Sequence, residues 1–519
     1  MTDSQPHSDR GNRRLAGLAG AASVGLALAL TELIAGLFGR VPSAIAAVGG
    51  FVVDYSPPFV KEIAITVFGT ADKGALAIGT VIIGLMVGAF VGVASLRRPW
   101  VSAVAFGAFG LLGAIAASME PLVTPAAAVV TVVFASAAGW LTLRWLLRRV
   151  VQRTPELPTD GVPPDPGRRR AGLLIGGVGL AAVVFGVAGR QMIISRSESK
   201  RSAMDLPEPV TTVAPPNDDQ RFADVVGLAP IVVPNDQFYR IDTALVVPRP
   251  DPESWTMKVT GMVERPQEFT MSDLLAMELH ERYVTISCVS NEVGGDLVGN
   301  AKWTGVRLVE VLERAGVAVG ATQIVGRSVD GWTAGFPTEL AFDGRDPLIA
   351  IGMNGETLPP RHGFPARLIV PGLYGYVSAT KWLEEIELTT WDAFDGYWIP
   401  RGWSKMGPIK TQARIDYPRR GELVNGSPAV VAGVAWAPTI GVERVEVRID
   451  AGPWMEAELT SPLSDDAWVQ WKLETPLDPG DHEAEVRATD GTGATQPEAR
   501  SPVRPDGATG YDRTQFRTS

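Results

Sequence analysis

The chain has 519 residues, a formal net charge of −10 and one cysteine. An acidic balance excludes nucleic acid as the expected partner, and a single cysteine excludes a disulfide within the chain. The length allows about two to four domains. Residues 1–200 are rich in Ala, Gly, Val and Leu, whereas the remainder has the composition of an acidic globular protein. We therefore predict a membrane half followed by a soluble half.

The first half contains five stretches that are long and apolar enough to cross a bilayer, for which about twenty residues are needed. They are Leu15–Phe38, Gly74–Leu96, Trp100–Ser118, Leu122–Leu143 and Ala171–Gly189. None of them contains a histidine, so these spans offer no histidine pair for a membrane haem. We predict a five-helix transmembrane domain over residues 1–194.

Basic residues are concentrated on one side of these spans. They precede the first span, separate the second from the third, and fill the connection between the fourth and the fifth. The residues are Arg10, Arg13, Arg14, Arg97, Arg98, Arg144, Arg148, Arg149, Arg153 and Arg168–Arg170. Because Lys and Arg mark the cytoplasmic side, we predict a multi-pass protein of the cytoplasmic membrane. Its N-terminus is predicted inside, and everything after the fifth span outside.

Arg168, Arg169 and Arg170 directly precede the fifth apolar stretch. Paired arginines in this position resemble a twin-arginine export signal. The ordinary positive-inside pattern explains three arginines equally well without any special export route. Our hypothesis is that the fifth span is inserted by the folded-protein route and the first four by the general route.

The soluble half begins with a linker. Residues 195–229 are rich in Pro, Ser, Asp and Thr and have no sustained periodicity. Residues 230–405 follow as a globular domain. Within it, the alternation of Trp255–Gly261 predicts a strand, and Thr285–Ser287 is predicted to be the strand that leads into Cys288.

Residues 406–519 change to short alternating strands separated by turn residues. The clearest are Val430–Trp436, Val442–Asp450 and Glu483–Asp490. This pattern predicts an antiparallel sandwich of about one hundred residues.

Three motifs follow one another in the soluble half. The first is Thr285–Asn291 with its cysteine, the second is Ala301–Val306 with its Trp-x-Gly, and the third is Met353–Leu383 with the segment His-Gly-Phe-Pro-Ala-Arg. This order resembles the molybdenum-binding domain of the sulfite oxidase family. The resemblance implies an α+β molybdopterin-binding domain over 230–405 and an immunoglobulin-like dimerisation domain over 406–519.

The resemblance also implies a molybdenum cofactor and the residues that hold it. Cys288 would be the metal ligand, because a cysteine thiolate ligates molybdenum in that family and a soft thiolate suits such a metal. His362 and Arg367 would hold the cofactor phosphate, and Lys381 would add a further donor. The remaining implied contacts are Asp242, Asp330, Ser378 and Thr380. On residue type alone, Cys288 is a small buried hydrophobe.

Three further side chains are implied to lie beside the metal: Arg240, Trp303 and Tyr397. The planar fork of donors on Arg240 suits an oxyanion, and Tyr397 would be a hydrogen-bond donor or proton relay. A surface salt bridge for Arg240 and a core position for Trp303 are the alternatives. Arg513 aligns loosely with a family arginine that returns to the active site.

The implied reaction is two-electron oxygen-atom transfer at molybdenum, with sulfite as the expected substrate. Electrons would pass to a separate cytochrome or quinone system, since no haem is expected in this chain. One departure bears on the substrate: sulfite oxidases usually carry an arginine shortly after the Asn of the cysteine loop, whereas here Asn291 is followed by Glu292, Val293, Gly294 and Gly295. Because an acid weakens the binding of a dianion, a reductase of a neutral S-oxide or N-oxide is the alternative within the class.

A non-catalytic membrane sensor or scaffold is the alternative from another class. The retained Cys288, His362, Arg367 and Lys381 argue against it, because a scaffold has no need of cofactor contacts.

Overall fold

The computed structural model describes residues 6–38, 41, 43–56, 72–119, 124–151, 166–425 and 427–519. The chain forms two compact units. One is helical and contains Met1–Ser199 with Ala244–Val247. The other is rich in β-strands and contains Lys200–Thr243 with Pro248–Ser519.

Long helices make up the described part of the helical unit. They are α1 (Pro6–Phe38), α2 (Ala44–Tyr55), α3 (Asp72–Arg97), α4 (Trp100–Ser118), α5 (Pro125–Val151) and α6 (Pro166–Ser202). All of these except α2 are long and apolar enough to cross a membrane. The five predicted apolar helices are therefore confirmed, while their orientation stays a prediction. Leu122, the predicted start of the fourth span, and Arg153 lie outside the described residues.

Two helices differ from the expectation. Helix α2 was not predicted, because its 12 residues are fewer than the roughly twenty that a span needs. The Ser43 hydroxyl caps it by accepting a hydrogen bond from the Ala46 amide at 3.1 Å. Helix α6 continues through Ser202 and so extends into residues 195–229, for which the sequence predicted a linker.

Many large apolar side chains of these helices point outward. Phe90, Leu111 and Leu173 are 73%, 64% and 68% exposed. Small residues contribute to the contacts between helices: a Cβ atom on Gly20 would overlap the carbonyl group of Gly88. Close backbone contact through small residues is typical of helices that pack in lipid, where burial of large apolar groups brings no gain.

The β-rich unit contains many short strands and a few short helices. The strands are β1 (Thr256–Gly261), β2 (Gln267–Thr270), β3 (His280–Ser287), β4 (Val298–Arg307), β5 (Gln323–Ser328), β6 (Thr333–Pro337), β7 (Leu348–Met353), β8 (Glu356–Thr357), β9 (Arg367–Ile369), β10 (Leu383–Thr389), β11 (Gln412–Tyr417), β12 (Leu423–Val424), β13 (Ala429–Trp436), β14 (Val442–Ile449), β15 (Met455–Glu456), β16 (Glu458–Leu459), β17 (Val469–Thr475), β18 (Gly480–Asp490) and β19 (Asp512–Thr518). The α-helices are α7 (Met271–Leu275), α8 (Leu308–Ala315) and α9 (Gly375–Ser378).

Two sheets form the first part of this unit. One has the order β2-β1-β10-β5-β6, with β1 and β10 parallel. The other has the order β3-β4-β7-β8, and β9 also pairs with β7. Both sheets contribute side chains to one hydrophobic core. Helix α8 packs into this core through Leu308, Val311, Leu312 and Ala315, which follow the helical repeat and are all buried.

The pairing of β3 with β4 fixes the position of the cysteine. The strands are in register from His280 opposite Gly305 to Ser287 opposite Val298, so residues 288–297 form the loop between them. The last five positions of β3 are all buried, as expected for a strand covered on both faces. The predicted strand that leads into Cys288 is therefore confirmed.

The second part of the unit consists of two further sheets. Their orders are β11-β13-β17-β16 and β12-β19-β18-β14-β15. Side chains from both sheets share one core, which includes Val431, Trp471, Val447, Val486 and Phe516. Strands β13, β14 and β18 confirm the three strands that the alternating pattern predicted here.

Candidate functional site

Cys288 is held at the end of β3 by its own backbone. Its amide donates to the carbonyl oxygen of Leu297 at 2.9 Å, which extends the β3–β4 ladder by one bond. Its Sγ accepts a hydrogen bond from the Ser290 amide at 3.4 Å. The residue is 9% exposed, and burial raises the pKa of the thiol. The thiol therefore stays protonated until a metal or a cation stabilises the thiolate.

The side chain of Cys288 lines a cavity with mostly aromatic and aliphatic walls. The uncharged lining includes Phe238, Tyr239, Ile286, Trp332, Tyr376, Trp382, Trp398 and Trp403. Five residues predicted for the site also line it: Asp242, Cys288, Asp330, Arg367 and Lys381. An apolar cleft with a few convergent polar groups is the usual form of a small-molecule site.

Arg367, the first residue of β9, is a buried cation with spare hydrogen-bonding capacity. It is 2% exposed, its Nη1 donates to the His362 carbonyl oxygen at 3.0 Å, and its guanidinium lies 5.0 Å from the centre of the Trp303 ring. Among the described residues, no acceptor bonds its Nε and no carboxylate pairs with it. Burial lowers the pKa of Arg367 to about 10, so it is charged at neutral pH. Such a group is suited to bind an anion.

Lys381 and Arg240 share one carboxylate. Asp242 accepts hydrogen bonds from Lys381 Nζ at 3.2 Å and from Arg240 Nε at 2.8 Å. Arg240 Nη2 also bonds the other oxygen of Asp242 at 3.3 Å, so its donor fork faces this carboxylate. Burial lowers the pKa of Lys381 to about 8, against the opposing effect of the Asp242 charge. Two cations here share one anion.

His362 is buried and Asp330 is half-buried, and the loss of solvent favours the neutral form of each. The Nε2 of His362 lies 2.8 Å from the Asn235 carbonyl oxygen, and burial lowers the pKa of the ring to about 3. The neutral ring therefore donates through Nε2. Asp330 accepts a hydrogen bond from the Trp332 amide at 3.1 Å, and burial raises the pKa of its carboxyl.

Comparison with known proteins identifies the family. A model of the oxidoreductase molybdopterin binding domain matches residues 244–398. The uncharacterized oxidoreductase YuiH of Bacillus subtilis is 34% identical over 157 residues, which cover 30% of this chain and 76% of that protein. The mitochondrial sulfite oxidase of Homo sapiens is 28% identical over 321 residues. The chain belongs to the sulfite oxidase family of molybdopterin-dependent oxidoreductases. This membership makes it an oxidoreductase and implies a molybdenum cofactor.

The match to sulfite oxidase itself is partial. It covers 52% of this chain and 58% of the human protein, so the chain spans a little over half the length of that relative. Among solved structures, the sulfane dehydrogenase SoxCD from Paracoccus pantotrophus is 23% identical with a TM-score of 0.49. That match covers 56% of this chain and 82% of that one.

The residues around the cavity fit the cofactor that the family implies. Arg367 offers an unused N–H and a buried charge, which a phosphate would neutralise. Lys381 adds a second cation on the same wall, and Cys288 adds the soft sulfur that such a metal requires. The donor set is therefore of the right chemical kind for an anionic pterin and its metal.

Some residues that the family resemblance suggested do not line the cavity. Trp303 is fully buried in the core, where its Nε1 donates to the Val284 carbonyl oxygen at 3.1 Å and its ring supports Arg367. The guanidinium of Arg401 lies 3.7 Å from the centre of the Tyr397 ring. Also outside the lining are Arg240, His362, Ser378 and Thr380.

Arg513 lies away from the cavity as well. It pairs with Glu485 on the neighbouring strand, and its side chain is 46% exposed. The loose alignment with a family arginine of the active site is therefore wrong for this residue, because β19 directs it along the outer face of its sheet.

Several lining residues were missed by the sequence reasoning. Tyr239 and Trp398 each stand next to a residue that was predicted, Arg240 and Tyr397. A one-residue displacement of this kind cannot be read from a motif, because side chains of neighbouring residues point in different directions. Trp403 lies beyond Tyr397, the last residue predicted for the cavity, and no signal in the sequence marked it.

Proposed function

We propose that the chain is a membrane-anchored molybdenum oxidoreductase that catalyses oxygen-atom transfer outside the cytoplasmic membrane and passes electrons to a separate acceptor. One observation carries the proposal: a buried thiol, Cys288, lines the same cavity as the buried cation Arg367 and the partly buried cation Lys381. A thiol suits a soft metal, and buried cations suit a phosphate. When bound, the cofactor supplies a metal that takes up or gives two electrons as oxygen is transferred.

Each side chain has a proposed role in holding that group. Cys288 provides the thiolate ligand, and the β3–β4 ladder keeps it at a fixed place. Arg367 and Lys381 bind the phosphate, and His362 orients Arg367 through its backbone carbonyl oxygen at 3.0 Å. Asp242 and Asp330 face the pterin, with Ser378 and Thr380 behind them as second-layer contacts. Substrate contacts are proposed for Arg240 and Tyr397, with Trp303 beneath the site.

Sulfite is the first proposed substrate, and a neutral S-oxide or N-oxide reduced at the same site is the second. The second candidate is favoured by one observation, because the donor fork of Arg240 already bonds both oxygens of Asp242, which leaves less of its charge for an anionic substrate. Glu292, in place of a family cation, is exposed and adds a negative charge to the cysteine loop. Both features weaken the attraction for a dianion.

The finer architecture is also proposed. The two sheets of residues 406–519 would form an immunoglobulin-like sandwich that mediates a homodimer. The five apolar helices would anchor the chain with its N-terminus inside, and Arg169 and Arg170 would direct twin-arginine export of the loaded domain. The acceptor would be a cytochrome or a quinone, since no haem is expected in this chain.

Anaerobic mixing of the loaded full-length chain with sulfite tests the proposed reaction. Sulfite should reduce the metal, as followed by stopped-flow absorbance and EPR, and the Cys288→Ala variant should show no such signal. If sulfite leaves the metal oxidised but dimethyl sulfoxide or trimethylamine N-oxide reoxidises the reduced protein, the chain is a reductase. A chain that takes up no molybdenum in a cofactor-competent host would contradict both and favour a scaffold.

A further inference from the structure

The loop that carries Cys288 is held by an arginine from a different sheet. Arg414, on β11, is 8% exposed, and its Nη1 donates to the carbonyl oxygen of Gly295 at 3.0 Å. Its Nε donates to Asp416 at 2.6 Å, and its guanidinium lies 5.9 Å from the centre of the Trp468 ring. The guanidinium is thus fixed by a carboxylate and a ring, and its Nη1 bonds the cysteine loop.

A second contact restrains the same loop one residue earlier. Gly294 has a φ of +78°, and a Cβ atom there would overlap Oδ1 of Asp512. Asp512 is itself fixed, because its Oδ2 accepts from the Ile415 amide at 2.9 Å and its Oδ1 from the Arg513 amide at 2.8 Å. The loop therefore rests against a rigid carboxylate and has no room to shift toward it.

The strand before Cys288 is held from the same region. The Thr285 amide donates to the Asp466 carbonyl oxygen at 2.9 Å, and the Trp468 amide donates to Thr285 Oγ1 at 2.8 Å. Residues on both sides of Cys288 are thus bonded to the second part of the β-rich unit. Of these bonds, the one from Arg414 is the side-chain bond that acts on the loop itself.

We propose that Arg414 is a positioning residue for Cys288, which fixes the loop 288–297 so that the thiol keeps its place as metal ligand. This inference rests on the proposed role of Cys288. A metal site needs its ligands within about 0.5 Å of their working geometry. The loop contains adjacent glycines at 294 and 295, the residue type with the greatest backbone freedom, so an external bond at this point has the most to restrain.

The rate at which a thiol reagent labels the cofactor-free full chain tests the inference directly. Cys288 is the only cysteine, so every label reports its exposure. In Arg414→Lys the single ammonium group can still bond the Asp416 carboxylate, but it cannot also reach the Gly295 carbonyl oxygen. The labelling rate should rise about tenfold to a hundredfold, the effect of losing one charged hydrogen bond. Arg448→Lys is the control, because Arg448 bonds the buried carboxylate of Glu485 and, among the described residues, makes no bond to residues 288–297.

A pair of glycine variants provides a second route that leaves Arg414 in place. Gly294→Ala adds a methyl group against Asp512, whereas Gly421→Ala adds one at the same φ of +78° with nothing within 4 Å. Both variants place a side chain at the same positive φ, and they differ in the contact with Asp512. If the contact between the loop and Asp512 on β19 positions the loop, labelling should be at least about tenfold faster in Gly294→Ala than in Gly421→Ala.

The loaded chain supplies a readout that a purely structural role would not move. The Arg414→Lys variant should retain its molybdenum but shift the EPR signature and reduction potential of the metal, and Arg448→Lys should shift neither. Unchanged labelling in both Arg414→Lys and Gly294→Ala would overturn the inference. So would labelling that rises only in proportion to the lost free energy of unfolding. If the chain takes up no metal, the proposed function fails while the labelling result still decides the positioning role.

Discussion

Arg367 and Arg414 are both buried arginines that lie against a tryptophan ring, yet their hydrogen-bond partners differ. Arg414 has a carboxylate, Asp416, and a loop carbonyl, so its charge is balanced within the protein. Arg367 has one carbonyl and, among the described residues, no carboxylate and no partner for Nε. A buried arginine with its counter-ion stabilises the fold, whereas one without it carries an unbalanced charge available to a ligand.

The largest expected effect is on stability. Replacing Arg414 by methionine leaves Asp416 buried and without its cation, which should lower the free energy of unfolding by about 3–5 kcal/mol. Urea unfolding of the cofactor-free full chain in detergent, followed by tryptophan fluorescence, measures this change. The exposed pair of Arg517 and Asp481 offers the control, and Arg517→Met should leave the urea midpoint nearly unchanged, because solvent screens an exposed ion pair. An equal loss in the two variants would remove the distinction drawn for Arg414.

The next effect concerns the ligand. Arg367→Met should weaken retention of the molybdenum cofactor by about 2–4 kcal/mol, because a buried charge pair with the phosphate is lost. Molybdenum and pterin content after dialysis give the measurement. Arg361→Met is the matched control, since Arg361 contacts only the Asp236 carbonyl oxygen among the bonds found for its side chain. Full cofactor retention by the Arg367 variant would place the phosphate elsewhere.

The same Arg367→Met substitution should have the opposite effect on the cofactor-free chain. Removing an unbalanced buried cation should raise the free energy of unfolding by about 1–3 kcal/mol. The effects of Arg414→Met and Arg367→Met on the free energy of unfolding then differ in sign as well as in size, under identical urea conditions. A destabilised Arg367 variant would show that its charge is balanced by a group not apparent among its contacts.

The smallest effect is a pH dependence at Lys381. Its pKa is lowered to about 8, so the ammonium is charged below that pH and progressively neutral above it. Affinity of the cofactor-free chain for a phosphate monoester, whose own pKa is about 6, should be roughly constant from about pH 7 to pH 8, where the monoester is a dianion and the ammonium is charged. Above pH 8 it should fall by at most about tenfold per pH unit. Calorimetric titration at several pH values measures the slope, and the Lys381→Met variant should show none.

The sequence allowed the centre of the site to be predicted and not its support. Cys288, Arg367 and Lys381 line the cavity because each lies in a motif whose local backbone places it there. Tyr397 and Arg240 do not line the cavity, and their substrate contacts stay a proposal, because motif spacing does not fix which of two neighbouring residues faces inward. Arg414 could not be anticipated, since its bond to Gly295 joins residues 119 positions apart. Helix α2 was missed for the simpler reason that it is too short to span a bilayer.

The carboxylate shared by Lys381 and Arg240 has a consequence for how the cavity is filled. With Asp242 already in contact with Lys381 at 3.2 Å, an incoming phosphate does not meet a bare cation but competes with an anion that is in place. Under the proposed function, phosphate binding would therefore be an exchange, in which Asp242 keeps its bonds to Arg240 and gives up its contact with Lys381.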